Sequence, residues 1–438
     1  MRRTVSILRA GHLGSKRRCW RSAAAGAAVL GVMLLAFGAI TSCQPPPRHP
    51  DASPPPIARP VASPAGEVVR VRLADSVDVV HVATTSSYRL SSGQALVASG
   101  QLPMGMREIR WAASQWFIDG RPVAGSKLEI STDADGLVTC DARSFRGTIV
   151  LAPVDAQHFS IDNHVPLEGY LAGVLARELP RSWHEEAYKA QAVAARTYVL
   201  YEMRHDGRLR HFDVYGDQRS QVYGGVVDET AKSVAAVKAT ANQVLVFGPP
   251  GHEHIFKAYY SSTCGGISNP AEGLEPQEEQ VAALAGGVVC TDCAGASRYR
   301  WPTVQISKAA AFSALGTGYP KMAALGSLEK LRPQLPGTSW GRVEWFDIVG
   351  HDGRYERLRA DDFRLAMLRY GPPESRGLFS MNCTVKDLGS TLSFEDGRGF
   401  GHSVGLCQYG AQGKALRGMK YYEILYIYYP GAKIMKLP

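Results

Sequence analysis

A glutamate and two cations lie close together in the sequence, in a pattern that can support acid–base chemistry. Glu178 precedes Leu179-Pro180, and Lys189 and Arg196 follow it within 18 residues. In a helix the seven-residue spacing of the two cations is two turns, so both lie on one face about 10 Å apart. A carboxylic acid beside two fixed cations is an arrangement that a glycan-cleaving site can use. The ordinary alternative is a solvated helix end followed by a wet Lys/Arg face.

Two helices separated by a proline break are predicted to position these side chains. The first runs from Leu167 to about Glu178, follows Val165-Pro166 and is stopped by Pro180. The second opens at the acidic pair Glu185-Glu186, because acids in a first turn complement the exposed backbone N–H groups. Its high alanine content allows close packing against neighbouring elements.

A polar and aromatic stretch at residues 211–225 has no helical or strand period over its first half, which predicts a loop. Its Ser220, Gln221 and Tyr223 suit sugar recognition, since hydroxyl groups need donors and acceptors and pyranose rings need a flat face. By composition alone, an ordinary surface loop is the competing interpretation.

A second candidate loop, residues 397–411, is too rich in glycine for a core strand or helix. We expect it to press against another backbone or a ligand, with His402, Gln408 and Tyr409 as candidate cleft groups. A structural role for a buried histidine is the alternative for His402.

Four motifs, three of them in these segments, closely resemble those of the stage II sporulation protein D family, and the resemblance extends over about residues 67–438. The first is the helix pair, which reads L-E-G-Y-L-A-G-V-L-A-R-E-L-P and E-A-Y-K-A-Q-A-V-A-A-R-T-Y. The others read S-Q-V-Y-G-G, S-S-T-C-G-G after a tyrosine, and G-R-G-F-G-H-S-V-G-L-C-Q-Y-G-A. Ser403 departs from the family by replacing a glycine, which is tolerable if the position has an ordinary φ.

The resemblance implies a lytic transglycosylase that cleaves the β-1,4 bond between N-acetylmuramic acid and N-acetylglucosamine in peptidoglycan. Glu178 falls on the family's catalytic acid, and Lys189 and Arg196 fall on its functional cations. One acid serves both half-steps, the product is a 1,6-anhydro-muramic end, and no cofactor is required for the chemistry. Because contact with Glu178 would lower its pKa, we expect the two cations to bind the lactyl carboxylate of peptide-free strands instead.

The family also contains proteins described as amidase enhancers. The alternative function is therefore a non-catalytic peptidoglycan-binding module that assists an N-acetylmuramoyl-L-alanine amidase. A metal-dependent hydrolase is weaker, since no H-E-x-x-H or similar spacing is present.

Cysteines suggest either a structural zinc site or disulfides. Cys290 and Cys293 form a C-x-x-C pair, whose sulfurs can share one tetrahedral metal. With Cys264 and a histidine such as His254 this pair would complete a four-ligand site, although His254 is suggested by proximity alone. An even number of remaining cysteines in an exported protein favours disulfides by default.

The N-terminus is predicted to be a lipoprotein-type signal peptide over residues 1–42. It carries seven Lys/Arg and no acid, followed by an apolar run, and Ile40-Thr41-Ser42-Cys43 resembles a lipobox. Cys43 would then be acylated, anchoring the protein on the outer side of a membrane in the cell envelope; a retained N-terminal helix is the alternative. Without this segment the chain has 42 basic and 40 acidic residues, which leaves no basic surface that indicates nucleic-acid binding.

The rest of the chain predicts an α+β fold. Residues 43–66 are a proline-rich linker that cannot bury a core. Residues 67–438 form the catalytic region, with a β-rich part at 67–154 and a mixed α/β part at 155–438. We expect the glycan cleft to be assembled from several loops of the second part.

Overall fold

The computed structural model describes residues 66–133, 135–272, 274, 281–335 and 341–438. The predicted signal peptide, Cys43 and nearly all of the proline-rich linker lie outside these ranges, so they remain predictions. Within the described ranges, no helix combines the length and the apolar character that a membrane span requires.

Most of the first hundred described residues form strands, as their β-branched and partly alternating sequence predicts. In chain order they are β1 (Val68–Val77), β2 (Val79–Thr84), β3 (Tyr88–Ser92), β4 (Ala95–Gly100), β5 (Arg107–Ala112), β6 (Gln115–Ile118), β7 (Arg121–Val123), β8 (Leu128–Thr132), β9 (Val138–Cys140), β10 (Arg143–Phe145), β11 (Thr148–Pro153) and β12 (Phe159–Pro166). The last of them leads directly into the first helix.

The two helices predicted from the signature segment are present as α1 (Leu167–Glu178) and α2 (Glu185–Arg204). The His184 ring accepts a hydrogen bond from the Glu186 N–H, which caps the start of α2. A third helix, α3 (Ala231–Ala239), begins after Thr230, whose side chain closes a capping box. Local sequence signals therefore set the bounds of all three helices.

One strand interrupts the stretch predicted to be a loop. β13 (Val214–Tyr215) pairs in parallel with β1 at Val71 and Arg72. Two residues are too few to produce a period in the sequence, so this pairing depends on the neighbouring strand.

Residues 243–436 contain the other α-helices and strands of the described chain. The helices are α4 (Lys308–Gly318), α5 (Ala360–Tyr370), α6 (Gln408–Leu416) and α7 (Tyr421–Tyr428). The strands are β14 (Gln243–Phe247), β15 (His254–Ile255), β16 (Tyr260–Ser261), β17 (Arg300–Trp301), β18 (Val304–Ser307), β19 (Lys330–Gln334), β20 (Trp345–Val349), β21 (Tyr355–Arg359), β22 (Thr384–Asp387), β23 (Thr391–Glu395), β24 (Gly397–Arg398), β25 (Leu406–Cys407) and β26 (Lys433–Lys436).

The sheets confirm the α+β prediction. A seven-stranded sheet has the order β13-β1-β12-β11-β8-β3-β4, and a six-stranded sheet has the order β10-β9-β2-β5-β6-β7. Smaller sheets, such as β18-β23-β22 and β19-β20-β21, alternate with helices farther along the chain. The boundary predicted near residue 154 falls within the seven-stranded sheet, because β12 pairs with both β1 and β11.

Three clusters of buried hydrophobic residues hold these helices and strands together. The first joins the two large sheets to α1 and one side of α2, and includes Trp116 and Tyr170. The second joins the other side of α2 to α6 and α7, and includes Val193 and Tyr428. The third lies within residues 301–394 and contains α4 and α5. Helix α2 therefore connects the first two clusters, while α5 belongs to the third.

Candidate functional site

A cavity of about 340 Å³ brings together residues from six segments of the described chain. Its walls are the end of α1, Tyr198 of α2, the loop at 218–222, β16 with the residue on either side, one turn of α5 and the segment that leads into α6. All three hydrophobic clusters therefore contribute to its position.

Glu178 is the last residue of α1 and lies on the wall of this cavity, partly exposed to it. Its Oε1 accepts a hydrogen bond of 3.1 Å from the Val222 N–H, and its Oε2 accepts one of 3.1 Å from Gln408 Nε2. Burial raises the pKa of the Glu178 carboxyl, and the two donors oppose that shift only in part. The group is thus biased towards the protonated form that a general acid requires.

Gln408 reaches Glu178 because the chain places it at the first position of α6. The preceding residue, Cys407, caps this helix by accepting a hydrogen bond from the Gly410 N–H. The Gln408 residue is 4% exposed, and its amide faces the cavity wall. The sequence predicts Gln408 as a cleft residue, and the structure places it beside the candidate acid.

His402 also lines the cavity, as predicted for a cleft residue. Its Nδ1 accepts a hydrogen bond of 3.0 Å from the Val404 N–H. Burial lowers the pKa of the His402 ring to about 4, so the imidazole is neutral near neutral pH. Because Nδ1 accepts, the neutral ring carries its proton on Nε2, which can donate a hydrogen bond, and it adds no positive charge to the cavity.

The three residues predicted from the loop at 211–225 have different surroundings. Ser220 lines the cavity and accepts a hydrogen bond from the Tyr215 N–H. Gln221 is fully buried, where its Oε1 accepts from the Tyr170 hydroxyl and its Nε2 donates to a backbone carbonyl of α2. Tyr223 faces a neighbouring groove, although it is only 2% exposed. Gln221 therefore anchors the loop to the two helices and is not available to a ligand.

Arg196 is a core residue, which corrects the expectation that it contacts substrate. Its side chain is 0% exposed, and its Nε and Nη2 donate to the two carboxylate oxygens of Glu168 at 2.9 and 2.8 Å. Its Nη1 donates to the Gln243 carbonyl at 3.1 Å. The guanidinium thus joins α1, α2 and β14, because the face of α2 that carries it packs inward.

Lys189 likewise makes its ion pairs outside the cavity. Its Nζ lies 2.7 Å from Glu186 Oε1 and 3.7 Å from Glu185 Oε1, within the first turns of α2. Glu186 also accepts a hydrogen bond from the Tyr421 N–H at the start of α7. Lys189 thus neutralises a carboxylate that connects two helices, and neither Lys189 nor Arg196 lines the cavity that contains Glu178.

Ser261 and Arg364 are among the cavity residues that were not identified from the sequence. Ser261 lines the cavity, and its buried Oγ finds no hydrogen-bond partner within the described residues. Arg364 enters from α5, where its Nε donates to Asp361 at 3.1 Å. Arg342 pairs with the same Asp361, so Arg364 shares its carboxylate with a second guanidinium. The Tyr-Ser-Ser motif gave a signal for Ser261, whereas an arginine in an amphipathic helix gave none for Arg364.

A larger groove of about 790 Å³ adjoins the cavity and shares residues such as Arg177, Gln218 and Arg219 with it. Its carboxylates at Asp217 and Asp228 pair with arginines, at 2.8 Å to Arg219 and 3.5 Å to Arg177. Burial works against ionisation of Asp217, but its hydrogen bonds to Arg219 outweigh burial and lower its pKa. The groove offers room for an extended polar ligand that enters the cavity at one end.

A cluster of four cysteines lies behind the loop that carries Gln408. The sulfurs of Cys264, Cys290, Cys293 and Cys407 all lie within 4.8 Å of one another and are buried. Three of these cysteines are the predicted metal ligands, but the fourth position is Cys407. His254 is exposed in β15 and is absent from the cluster. This corrects the ligand set, because the β16–β25 pairing brings Cys407 to the cysteines that precede it by more than a hundred residues.

Ser403 has a φ of +63°, so the condition under which serine would be tolerated without cost is not met. The left-handed conformation explains why glycine suits this position, since it costs a residue with a Cβ about 1–2 kcal/mol. Ser403 Oγ accepts a hydrogen bond from Asn382 Nδ2 at 3.1 Å, which offsets part of that cost.

Comparison with known proteins supports the family resemblance. Residues 155–247 match the family model described as SpoIID, stage II sporulation protein. This match and the relatives named stage II sporulation protein D and amidase enhancer support that family for the chain. It is similar to stage II sporulation protein D of Bacillus subtilis, with 27% identity over 330 residues that cover 72% of this chain and 87% of the relative.

Two further relatives extend the comparison. An uncharacterized protein of Brachyspira hyodysenteriae is 28% identical over 297 residues, which cover 68% of this chain and 74% of that protein. The amidase enhancer of Bacillus subtilis is 26% identical over 298 residues, or 60% of this chain and 40% of that protein. The SpoIID match contains Glu178 and Ser220, whereas Arg364, His402 and the cysteine cluster lie beyond it.

Proposed function

We propose that this protein is a lytic transglycosylase that cleaves the bond between N-acetylmuramic acid and N-acetylglucosamine in peptidoglycan. The observation that carries the proposal is the Glu178 carboxyl, which lies in an accessible cavity with its pKa raised by burial. The stage II sporulation protein D relatives support the same assignment to the cell wall.

Glu178 serves both half-steps of the proposed reaction. The protonated carboxyl donates its proton to the glycosidic oxygen as the bond from that oxygen to C1 of the muramic acid breaks. The resulting carboxylate then takes the proton of the C6 hydroxyl as O6 bonds to C1, which closes the 1,6-anhydro ring. Glu178 ends protonated again and no water is consumed. The hydrogen bonds from Val222 and Gln408 stabilise the carboxylate between the two steps.

The surroundings of Glu178 favour this route over hydrolysis. Hydrolytic glycosidases generally use two carboxyl groups, with the second activating water or attacking the sugar. Of the described residues that line the cavity, Glu178 alone carries a carboxyl group. The acids that line the adjoining groove, Asp217, Asp228 and Asp362, are held by arginines. An internal nucleophile such as the sugar's own C6 hydroxyl removes the need for a second carboxylate.

Arg364 is the cation that we assign to the substrate in place of Lys189 and Arg196. It lines the same cavity as Glu178, and its own carboxylate partner, Asp361, is shared with Arg342. A guanidinium that shares its carboxylate partner with a second arginine can bind the lactyl carboxylate of a muramic acid that carries no peptide. The proposed substrate is therefore a peptide-free glycan strand, with the adjoining groove holding neighbouring sugars.

The proposed location is the cell envelope. The lipobox-like segment that ends at Cys43 suits a lipid anchor, and the proline-rich linker after it gives the catalytic region reach into the wall. In cells expressing Cys43→Ala we expect the precursor to stay unprocessed. Normal processing and membrane fractionation of this variant would disprove the lipid anchor without affecting the enzymatic proposal.

The test of the function compares wild type with Glu178→Gln on purified peptide-free glycan strands. The amide keeps the shape of the carboxyl and can hydrogen-bond, but it cannot donate a proton in the reaction. We expect bound glycan and a loss of product release of about 10²–10⁴-fold, the usual contribution of a general acid. Ser144→Ala, outside the cavity, is the control and should release product at the wild-type rate. Full activity of Glu178→Gln would refute the role of this residue.

A second candidate function is a non-catalytic enhancer of a cell-wall amidase, because one relative is named an amidase enhancer. This function needs the glycan groove but not the acid. It predicts that wild type and Glu178→Gln stimulate a purified N-acetylmuramoyl-L-alanine amidase equally and that neither cleaves glycan alone.

A further inference from the structure

Three separate segments deliver four cysteine side chains to one buried point. Cys264 follows β16, Cys290 and Cys293 lie in one turn of the chain, and Cys407 ends β25. Each of the four residues is at most 1% exposed. The parallel pairing of Ser261 with Cys407 fixes the first and last segments relative to each other.

The spacing of the sulfurs fits one tetrahedral metal ion. Zinc binds thiolate sulfur at about 2.3 Å, which puts two sulfurs of a regular tetrahedron about 3.8 Å apart. The Sγ atoms of Cys264 and Cys293 are 3.7 Å apart, and all four lie within 4.8 Å. A disulfide would require about 2.05 Å, and all four cysteines are free thiols in this arrangement.

The immediate surroundings are also those of a metal centre. The backbone N–H groups of Cys264 and Gly410 donate to Cys407 Sγ at 3.4 and 3.3 Å, which are the hydrogen bonds that the sulfur of a metal ligand accepts from its surroundings. The Tyr428 hydroxyl lies 3.0 Å from Cys290 Sγ. Gly410 leaves the space that the cluster occupies, since a Cβ at this position would collide with Cys290 Sγ and the Tyr428 hydroxyl.

We propose that Cys264, Cys290, Cys293 and Cys407 bind one zinc ion as thiolates, and that this centre holds Gln408 against Glu178. The second half of the proposal rests on the proposed function. Gln408 directly follows the ligand Cys407, and its amide donates to the Glu178 carboxyl. The turn that carries Cys290 and Cys293 is also fixed to α6, because Asp292 pairs with Lys414 at 2.7 Å. Gln408 is thus a positioning residue whose place depends on the metal centre.

Metal analysis of the full-length protein, purified under reducing conditions, tests the ligand set. We expect one zinc ion per chain in wild type and a loss of most of it in Cys407→Ser. His254→Ala should keep the metal, as should Cys140→Ser and Cys383→Ser. The last two are matched controls, since both cysteines are buried outside the cluster and burial raises the pKa of each to about 12. Reduced wild-type protein that contains no zinc would overturn the proposal.

A spectroscopic experiment on wild type covers the case in which Cys407→Ser does not fold. Wild type is stripped with a chelator, checked for retained secondary structure and titrated with Co²⁺. Four thiolates should give intense sulfur-to-cobalt charge-transfer absorption and the visible bands of tetrahedral Co²⁺ at one equivalent. Weak bands of an octahedral site, or no binding, would contradict the proposed centre.

A double-mutant cycle tests the link to Gln408. If the metal centre acts through this residue, Cys407→Ser and Gln408→Ala each lower kcat, and the double variant is no slower than the slower single variant. Multiplied effects of the two substitutions would disprove the positioning role. If wild type forms no anhydro product, the proposed function fails, while the zinc stoichiometry still decides the metal centre.

Discussion

Replacement of Arg196 separates a structural role from a substrate-binding role. Arg196 is fully buried and donates to Glu168, to the Gln243 carbonyl at 3.1 Å and to the Val237 carbonyl at 3.4 Å. Arg196→Met keeps much of the volume but leaves these acceptors without their charged donor. Breaking a buried charge network by removing one partner costs about 3–5 kcal/mol.

From the structure we expect the destabilisation caused by Arg196→Met to lie towards the lower end of this range. The Glu168 side chain is 41% exposed, so water can solvate its carboxylate after the substitution. The Gln243 and Val237 carbonyls lie in the interior and have less access to water. We expect a loss of about 3 kcal/mol of unfolding free energy, measured by urea unfolding of the purified protein.

Arg177→Met is the matched comparison. Its side chain is 51% exposed and lines the cavity, so its replacement should weaken glycan binding and leave the unfolding free energy within about 0.5 kcal/mol of wild type. Arg196→Met should show the reverse, with glycan affinity unchanged in the fraction that remains folded. An Arg196→Met protein of wild-type stability with weakened glycan binding would refute the core assignment.

Three further predictions follow from named contacts. Burial raises the pKa of Glu178 above its value in the unfolded chain. The contribution of this carboxyl to stability is therefore present below the unfolded pKa and is lost as the pH rises through the folded pKa. Scanning calorimetry should show that Glu178→Gln raises the melting temperature more at pH 7 than at pH 4. In steady-state assays Arg364→Met should raise KM about 10–150-fold for peptide-free strands but little for peptide-bearing strands. Arg364→Lys should retain part of the affinity, and Arg357→Met, at an exposed position, should leave KM unchanged. Equal effects on both substrates would contradict carboxylate recognition. Gly410→Ala should lower the free energy of unfolding measured in urea, although alanine favours helices, because its Cβ would collide with neighbouring atoms. Gly316→Ala, which has open space around the new Cβ, should stabilise the protein by up to about 1 kcal/mol. A stabilised Gly410→Ala protein would contradict the packing at the cysteine cluster.

Much of the fold is written locally in the sequence. The bounds of α1 follow from Pro166 and Pro180, and the start of α2 follows from its acidic first turn. β14 was likewise predictable from its apolar run. These signals act over a few residues, so they do not depend on how distant segments pack.

The roles of individual polar residues were harder to predict, because burial is decided by tertiary packing. Gln221 and Arg196 lie in recognisable motifs, yet both turn into the interior to satisfy backbone and side-chain partners. Arg364 reaches the cavity from the third hydrophobic cluster, and its position depends on how that cluster meets α1. Cys407 joins the cysteine cluster only through a strand pairing two residues long. No periodicity in the sequence reports such contacts.

The most direct test of the central claim is the chemical identity of the ends that the protein makes. Wild type is incubated with peptide-free glycan strands in H₂¹⁸O, and the products are analysed by mass spectrometry. Non-hydrolytic cleavage by Glu178 predicts 1,6-anhydro-muramic ends, lighter by one water than reducing ends, with no incorporated ¹⁸O. These ends should be absent with Glu178→Gln. Reducing muramic ends that carry ¹⁸O would mean hydrolysis and would contradict the proposed mechanism.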